Sequence, residues 1–349
     1  MRKFLNMLAL LLLAVSCEIP FDLDQAGEAR IYVQAIVKRG HVHIVPMVAQ
    51  AVNGEPVPVS SIQVQAELNG VPLKVEKGDS IWYSASYPLL EEGDEVAVTV
   101  RAGSLAPATG RTRFPPPLSV EDFSWERVQV DTIDAVAVSV RLDHEPGERE
   151  FFGILIHRHD HLLLPDGSYL SFYNYITPGY ILTADEMARF DLEDFMQVNY
   201  DNRFLGGRDY QPLTFVTQKQ FEGDTYRFYL NSFDASILGR IRNGMPGENT
   251  GAAGGGIVSG EVGPPGGGGQ TPVVPIARRT FFYITICRLS ESFYNYAKAL
   301  YQSNFDFLAN MGLIPANFTW SNVEGGMGFV GAISMYTLDP IEISEYFQK

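Results

Sequence analysis

Residues Ser61-Ile-Gln-Val-Gln-Ala-Glu-Leu68 alternate polar and apolar side chains and run straight into Asn69-Gly70. Successive strand residues point to opposite faces, so this alternation belongs to a strand with one buried side. Asn-Gly is the pair that tolerates positive φ at both central positions of a tight hairpin, so the chain is expected to double back there. The combination recurs. Ala29 to Lys38 leads through Arg39-Gly40 into His41 to Val45, and Glu95 to Arg101 again has period two. Short strands at this spacing, punctuated by Gly and Pro, predict an immunoglobulin-like β-sandwich over residues 29–115. Pro115-Pro116-Pro117 closes it, since a residue without an N–H cannot extend a ladder and favours an extended linker.

A second β-rich domain is expected over 118–349. Val136 to Leu142, Phe151 to Leu164, Tyr169 to Tyr175, Tyr226 to Leu230 and Phe281 to Leu289 have strand character, and Pro165-Asp-Gly-Ser168 is a turn between two of them. Thr183 to Phe195 has a helical start, with Thr183 as cap and Glu186 as its capping-box partner. A second helix is predicted over about 290–310, where Phe293, Ala297, Leu300, Tyr301, Asn304 and Leu308 form an apolar stripe behind Ser290 or Ser292 as cap. Between these helices, Gly244 to Pro275 holds twelve glycines in 32 residues and no aromatic side chain. Such a segment buries too little to repay its ordering entropy, so it reads as a disordered surface loop. The overall expectation is a mainly β chain of two domains, with 46% hydrophobic residues available for their cores.

The N-terminus has the three parts of a secretory signal. Arg2 and Lys3 precede an apolar run from Phe4 to Val15, interrupted only by Asn6, and small residues lead to Cys17. That run is too short to span a bilayer. Leu13-Ala-Val-Ser-Cys17 is similar to a bacterial lipobox, apart from Ala14 where leucine is usual, which makes Cys17 the expected site of lipid attachment after removal of residues 1–16. Residues 17–28 then form a polar, lipid-anchored tether. Cys287 has a different setting: it lies inside the apolar run Phe281 to Cys287, where a buried thiol has a raised pKa and little nucleophilic thiolate. Loss of Arg2 and Lys3 leaves 24 basic against 41 acidic residues, a net charge near −17. Such a surface repels phosphate backbones and disfavours nucleic acid as a partner.

Candidate chemistry is sparse. His157-Arg-His-Asp-His161 places three imidazoles, His157, His159 and His161, on one face of a strand, which is the pattern of a metal site. Same-face neighbours on a strand stand nearly 7 Å apart, so three in a row span too far for one tetrahedral ion without a bulge, and a polar strand face is the plainer reading. His41 and His43 pose the same question in a hairpin. His144-Glu-Pro-Gly147 lacks the second histidine of a zinc-protease motif, and Gly325-Gly-Met-Gly328 lacks the Lys-Ser/Thr of a phosphate loop and leads into a strand instead. No Gly-x-Ser-x-Gly elbow occurs. No cofactor is implied by any of these strings.

The anchored N-terminus, the sandwich, a late strand followed by Ser292-Phe-Tyr-Asn-Tyr-Ala-Lys-Ala-Leu-Tyr-Gln302, and Ser321-Asn-Val-Glu-Gly-Gly-Met-Gly-Phe-Val-Gly-Ala-Ile-Ser334 together resemble the Bacteroidota lipoprotein family catalogued as domain of unknown function 4249. The resemblance covers about Cys17 to Tyr336, and Ser321 to Phe329 is its most specific part. It implies an outer-membrane location and association with TonB-dependent receptors, and it brings no catalytic residues. The expected function is therefore binding: an accessory subunit of a TonB-dependent uptake or surface complex. A surface glycan binder using Trp82, Tyr83, Tyr173 and Tyr175 is the alternative, and a hydrolytic enzyme comes third. Asp79-Ser80-Ile81 and Asp131-Thr132-Ile133 resemble short O-glycosylation sites.

Overall fold

The structure, a computed structural model, describes residues 29–50, 61–78, 82–130, 133–143, 150–179, 196–201, 210–231, 257–258, 276–304 and 320–346. The signal segment, Cys17 with its tether, the helix expected at Thr183 to Phe195, Asp79-Ser80-Ile81 and Asp131-Thr132 lie outside the described residues.

The N-terminal part contributes β1 (Ala29–Val37), β2 (His41–Gln50), β3 (Ile62–Leu68), β4 (Val71–Pro72), β5 (Val75–Lys77), β6 (Tyr83–Ser86), β7 (Glu95–Ala102) and β8 (Ala108–Arg113). Then come β9 (Val120–Val130), β10 (Ile133–Leu142), β11 (Phe151–Leu163), β12 (Tyr169–Ile176), β13 (Gln197–Asp201), β14 (Tyr210–Val216), β15 (Phe221–Glu222), β16 (Thr225–Asn231) and β17 (Ile257–Val258). The chain closes with β18 (Ala277–Leu289), α1 (Glu291–Asn304), β19 (Val323–Glu324), β20 (Met327–Thr337) and β21 (Ile341–Tyr346). Asn69 and Gly70 have φ values of 51° and 77°, the left-handed pair that the β3–β4 hairpin requires.

These strands form three sheets. One mixed sheet of twelve strands runs in the order β13-β14-β11-β18-β20-β1-β2-β6-β5, with β12 and β21 paired on β11 and β18. Two smaller sheets cover one of its faces. The five-stranded sheet β19-β8-β7-β3-β4 closes a first sandwich over β1 and β2, and β15-β16-β10-β9 closes a second over β11 and β18. Ile31, Val33, Val42 and Ile44 meet Val96, Val98 and Val100 in the first core, while Ile154, Ile156, Phe282 and Ile284 meet Val136, Val138 and Phe228 in the second. Each such buried aliphatic side chain contributes about 1.5–3 kcal/mol relative to exposure. Helix α1 lies on the opposite, outer face of the large sheet. Its Phe293 and Ala297 are buried against Ile36, Phe329, Ile333 and Cys287. The predicted stripe is therefore the packed one, over a helix described from Glu291 to Asn304. Ser290 caps it: its Oγ accepts from the Phe293 N–H at 3.2 Å and from the Ala332 N–H at 2.8 Å, tying the helix start to β20.

Strand β20 joins the two sandwiches. Met327 to Ala332 pair in parallel with Tyr32 to Val37 of β1, and Ile333 to Thr337 pair antiparallel with Leu289 to Thr285 of β18. Residues 29–115 thus do not complete the first sandwich by themselves. Val323, Val330 and Ala332 fill its core from the far end of the chain, and β19 pairs with β8 at its edge. The string Ser321 to Phe329 does this docking. Asn322 acts as a short substitute strand: its Nδ2 donates to Arg111 O and Val330 O, both at 2.8 Å, and its Oδ1 accepts from the Val330 N–H at 2.9 Å. Gly325 and Gly328, with φ of +70° and +109°, let the backbone touch its neighbours: a Cβ on Gly325 would lie 2.2 Å from Pro107 O, and one on Gly328 would lie 2.0 Å from Val33 O. The Pro115–Pro117 linker is held along the same junction. The Leu118 N–H donates to Ser334 Oγ at 3.0 Å, and the buried Arg288 donates to Pro117 O at 3.4 Å and to Asp143 O while pairing with Glu150 at 3.1 Å.

Within the Gly-rich segment 244–275, Ile257 and Val258 are described, and they pair with Tyr173 and Phe172 of β12. That pairing differs from the expected structureless loop. Its physical reason is composition: these two adjacent β-branched residues stand between glycines and can occupy an open strand edge.

Gly328→Ala places a methyl group on a backbone oxygen in a left-handed position, so it is expected to destabilise the protein by roughly 3 kcal/mol. Gly167→Ala, also at positive φ (+85°) but with nothing within 4 Å, is the control and should cost about 1–2 kcal/mol. Urea denaturation of both variants measures the difference; equal losses would contradict the close approach at β20.

Candidate functional site

The string His157 to His161 lies on β11 with its odd and even residues on opposite faces. The register places His157 between Tyr175 of β12 and Tyr283 of β18, His159 between Tyr173 and Phe281, and His161 between Ser171 and Arg279. All three imidazoles are half-buried on the outer face, next to the part that α1 covers. The rings pack against one another. His159 stacks on Tyr173 at 3.9 Å between centroids, His157 stacks on Tyr175 at 5.1 Å and on Tyr173 at 5.6 Å, and His159 and His161 lie 4.0 Å apart. Ser171 Oγ is 3.1 Å from His161 Nδ1, and Arg279 pairs with Glu342 at 2.7 Å at the rim. The result is a shelf of upright rings whose faces are largely used against each other.

The even residues of the same string are buried in the second sandwich. Asp160 is completely buried and Arg158 is 3% exposed. Asp160 Oδ1 accepts from Arg158 Nη2 at 3.1 Å and from Thr280 Oγ1 at 2.6 Å, while Oδ2 lies 2.8 Å from Arg158 Nε. The guanidinium also sits over the Phe282 ring at 5.9 Å. Sequence reading treated the string as one polar face and missed this pair. Alternation was the available signal: if the histidines face outward, Arg158 and Asp160 must face the core, and a charge pair two residues apart can satisfy itself there.

The coordination set that three alternating histidines offered is not assembled. Among the described residues, no three His, Cys, Asp or Glu side chains are placed to hold a metal ion. His157 packs on tyrosines, and the shielded Nε2 atoms of His157 and His159 have no hydrogen-bond partner among the described residues. Burial holds the His157 pKa below its ordinary value, and burial followed by the neighbouring imidazoles does the same for His159 against the pull of Asp160. The neutral imidazole is thus favoured at His157 and His159.

A second titratable group lies at the β1–β2 turn, on the same outer face. His41 and His43 are in edge-to-face contact at 4.8 Å, and His43 lies 5.8 Å from Trp82. Burial, then His41 and Lys38, push His43 down to about 4. Burial also pulls Lys38 down to about 8. Of the aromatic residues considered for sugar binding, Trp82 is 37% exposed and Tyr83 is half-buried, while Tyr173 and Tyr175 have their faces on imidazoles. Tyr169, at 57%, is the more open ring, and no sequence signal singles it out. Cys287 is completely buried, and burial raises its thiol pKa far above the usual range. At the junction of the sandwiches an open polar cleft of about 470 Å³ is lined by Glu92, Glu95, Arg111, Arg113, Glu150 and Arg288, among others. Its charges are largely engaged with each other, Glu95 with Arg111 at 3.5 Å and Glu150 with Arg288 at 3.1 Å.

The depressed histidines set a pH dependence. An imidazole titrates near 6.5 when unfolded. Since His43 titrates near 4 in the fold, the unfolded state binds more protons between these values. The stability it contributes is complete above about pH 6.5 and is lost as the pH falls toward 4. His43→Gln is expected to reduce the acid-side slope of folding stability in that window, measured by urea titration at several pH values. An unchanged slope would assign the acid sensitivity to other groups.

A search of curated proteins finds no match. Among solved structures, an adhesin of Yersinia pseudotuberculosis, InvE, is similar at 10% sequence identity and a TM-score of 0.18, over 73% of this chain and 54% of that one. This chain thus spans about half the length of the adhesin chain, and a likeness at that score carries no functional argument. The family described as domain of unknown function (DUF4249) matches residues 17–338, a span that includes the β20 docking string and every strand but β21, and the chain belongs to that family.

Proposed function

We propose that this protein is a lipid-anchored binding protein of the outer membrane, a non-catalytic accessory subunit of a TonB-dependent uptake or surface complex. The observation that carries the reading is the lengthwise stagger of the large sheet. From Ala29, the ladder passes to β20 at Met327, leaves it at Thr337 opposite Thr285, and follows β18 to Ala277 opposite Leu163. That path covers 21 residues of strand, on the order of 60 Å along a twisted ladder. A twelve-residue tether from Cys17 reaches at most about 40 Å. It enters at the start of β1, so lipid on Cys17 would hold the first sandwich at the membrane and present the β11–β12 hairpin, with the open ring of Tyr169, at the far end.

The buried charges support binding over catalysis, because Arg158 with Asp160 and Arg288 with Glu150 serve packing and the junction. The glycan reading draws on Tyr169 and Trp82, whose rings are open, but Tyr173 and Tyr175 have little free face to offer a sugar.

The test is a mild-detergent pull-down of the tagged full-length protein from its native outer membrane, beside Cys17→Ala. A stoichiometric receptor that disappears with the anchor is the expected result. Recovery of the anchored protein alone would overturn the accessory role.

A further inference from the structure

At the turn between β1 and β2, Lys38 has no counter-charge among the described residues. Val37 pairs with Val42 and Ile36 with His43, so Lys38 and His41 come next in register across the turn, and Lys38, His41 and His43 share the outer face. Lys38 is half-buried and makes no ion pair or side-chain hydrogen bond among the described residues. Its nearest ionisable neighbours are the two imidazoles across the hairpin and Cys287 of β18, whose buried thiol stays protonated. None of these supplies a negative charge. The chain has 41 acidic residues, yet none of those described stands beside this ammonium, and half-burying a charge without a counter-charge costs stability.

The turn is also tied down by hydrogen bonds. The Lys38 N–H donates to His41 O at 2.9 Å, Tyr87 OH donates to Lys38 O at 2.8 Å, the Tyr87 N–H donates to Gly40 O at 3.1 Å and the Leu90 N–H donates to Arg39 O at 2.8 Å. Apolar surface adjoins it: Leu89, beside Gly40, is 67% exposed, and Trp82 borders His43. A local charge arrangement that costs stability, held in a fixed geometry, is characteristic of a site whose missing group comes from another molecule.

We propose that this turn binds a carboxylate carried on an apolar group, with Lys38 supplying the charge, His41 and His43 supplying N–H donors, and Trp82 and Leu89 contacting the apolar part. A monoanion fits because the half-buried charge here is the single ammonium of Lys38, with Arg39 of the same turn exposed to solvent; a phosphate dianion calls for a guanidinium fork or several cations at the site itself. The bound carboxylate raises the proton affinity of both imidazoles and of Lys38, which makes its arrival visible at the histidines.

Hexanoate is a suitable probe, titrated into the detergent-solubilised full-length protein while the His41 and His43 ring resonances are followed across pH. A saturable rise in both imidazole pKa values is expected. Lys38→Met should weaken hexanoate binding by roughly tenfold, the loss of one charge-assisted contact. Without ligand, Lys38→Met should melt no lower than the parent, because it removes an uncompensated cation. A lower melting temperature would make Lys38 a structural residue and overturn the proposal. So would hexanoate shifts that fail to saturate or that persist in Lys38→Met, and an equal response to sulfate would overturn the carboxylate assignment. The outcome is independent of the receptor pull-down, since the site can fail while a receptor still copurifies, and the reverse.

Discussion

The ladder on either side of β20 is the interaction on which the remaining structure depends. One edge of this strand pairs with β1 and the other with β18, so the first and last parts of the chain close the same sheet. Without it, the first sandwich would lose Val330 and Ala332 from its core, α1 would lose Phe329 and Ile333 beneath it, and the linker would lose Ser334. Backbone pairing of this kind tolerates little lateral error, because a slip of one residue exchanges the two faces of a strand. Here the inner face of β20 carries Val330, Ala332 and Ser334, while the outer face carries Phe329, Gly331 and Ile333. Either exchange would put a phenylalanine into the first core and valine under the helix.

That constraint gives the string Ser321 to Phe329 a structural meaning. Ser321, Asn322, Gly325 and Gly328 fix where β20 begins, through the Val323 N–H, the Val330 backbone pair and two approaches of backbone to backbone. These are requirements of docking, and they explain why glycines occur here without a phosphate-loop lysine or a following helix. The charges around the junction act to the same end. Arg288 collects the linker, the Asp143 carbonyl and Glu150 in one buried place, which makes it a fastening point between the sandwiches.

The two faces of β11 show how the same polarity serves different ends. Arg158 and Asp160 are fully desolvated and survive as a mutually bonded pair with Thr280, an arrangement whose disruption by removing one member costs about 3–5 kcal/mol. The histidines on the other side lose only part of their hydration, and His157 and His159 pack among tyrosines. At the β1–β2 turn the balance differs, because Lys38 is half-buried with no acid beside it among the described residues.

Much of the local structure was legible in the sequence. Alternation identified β3, β7 and β10; Asn69-Gly70 and Pro165 to Ser168 identified turns; and a three-to-four spacing behind Ser290 identified α1. These features depend on neighbours a few residues apart, so the chain carries them in its own order. The membership of β20 in both sandwiches was not legible, because its partners lie near residues 32–37 and 285–289 and a strand's own pattern does not name its neighbours. The candidate site divides in the same way. His157, His159 and His161 could be placed on one face by parity alone, but their packing on Tyr173 and Tyr175, the burial of Asp160 and the isolation of Lys38 depend on which strands lie alongside. The sequence by itself determined strands, turns, the helix and the sign of the surface charge. Only the tertiary structure decided which charges were paired, since pairing requires contacts between distant segments that burial of the two cores brings together.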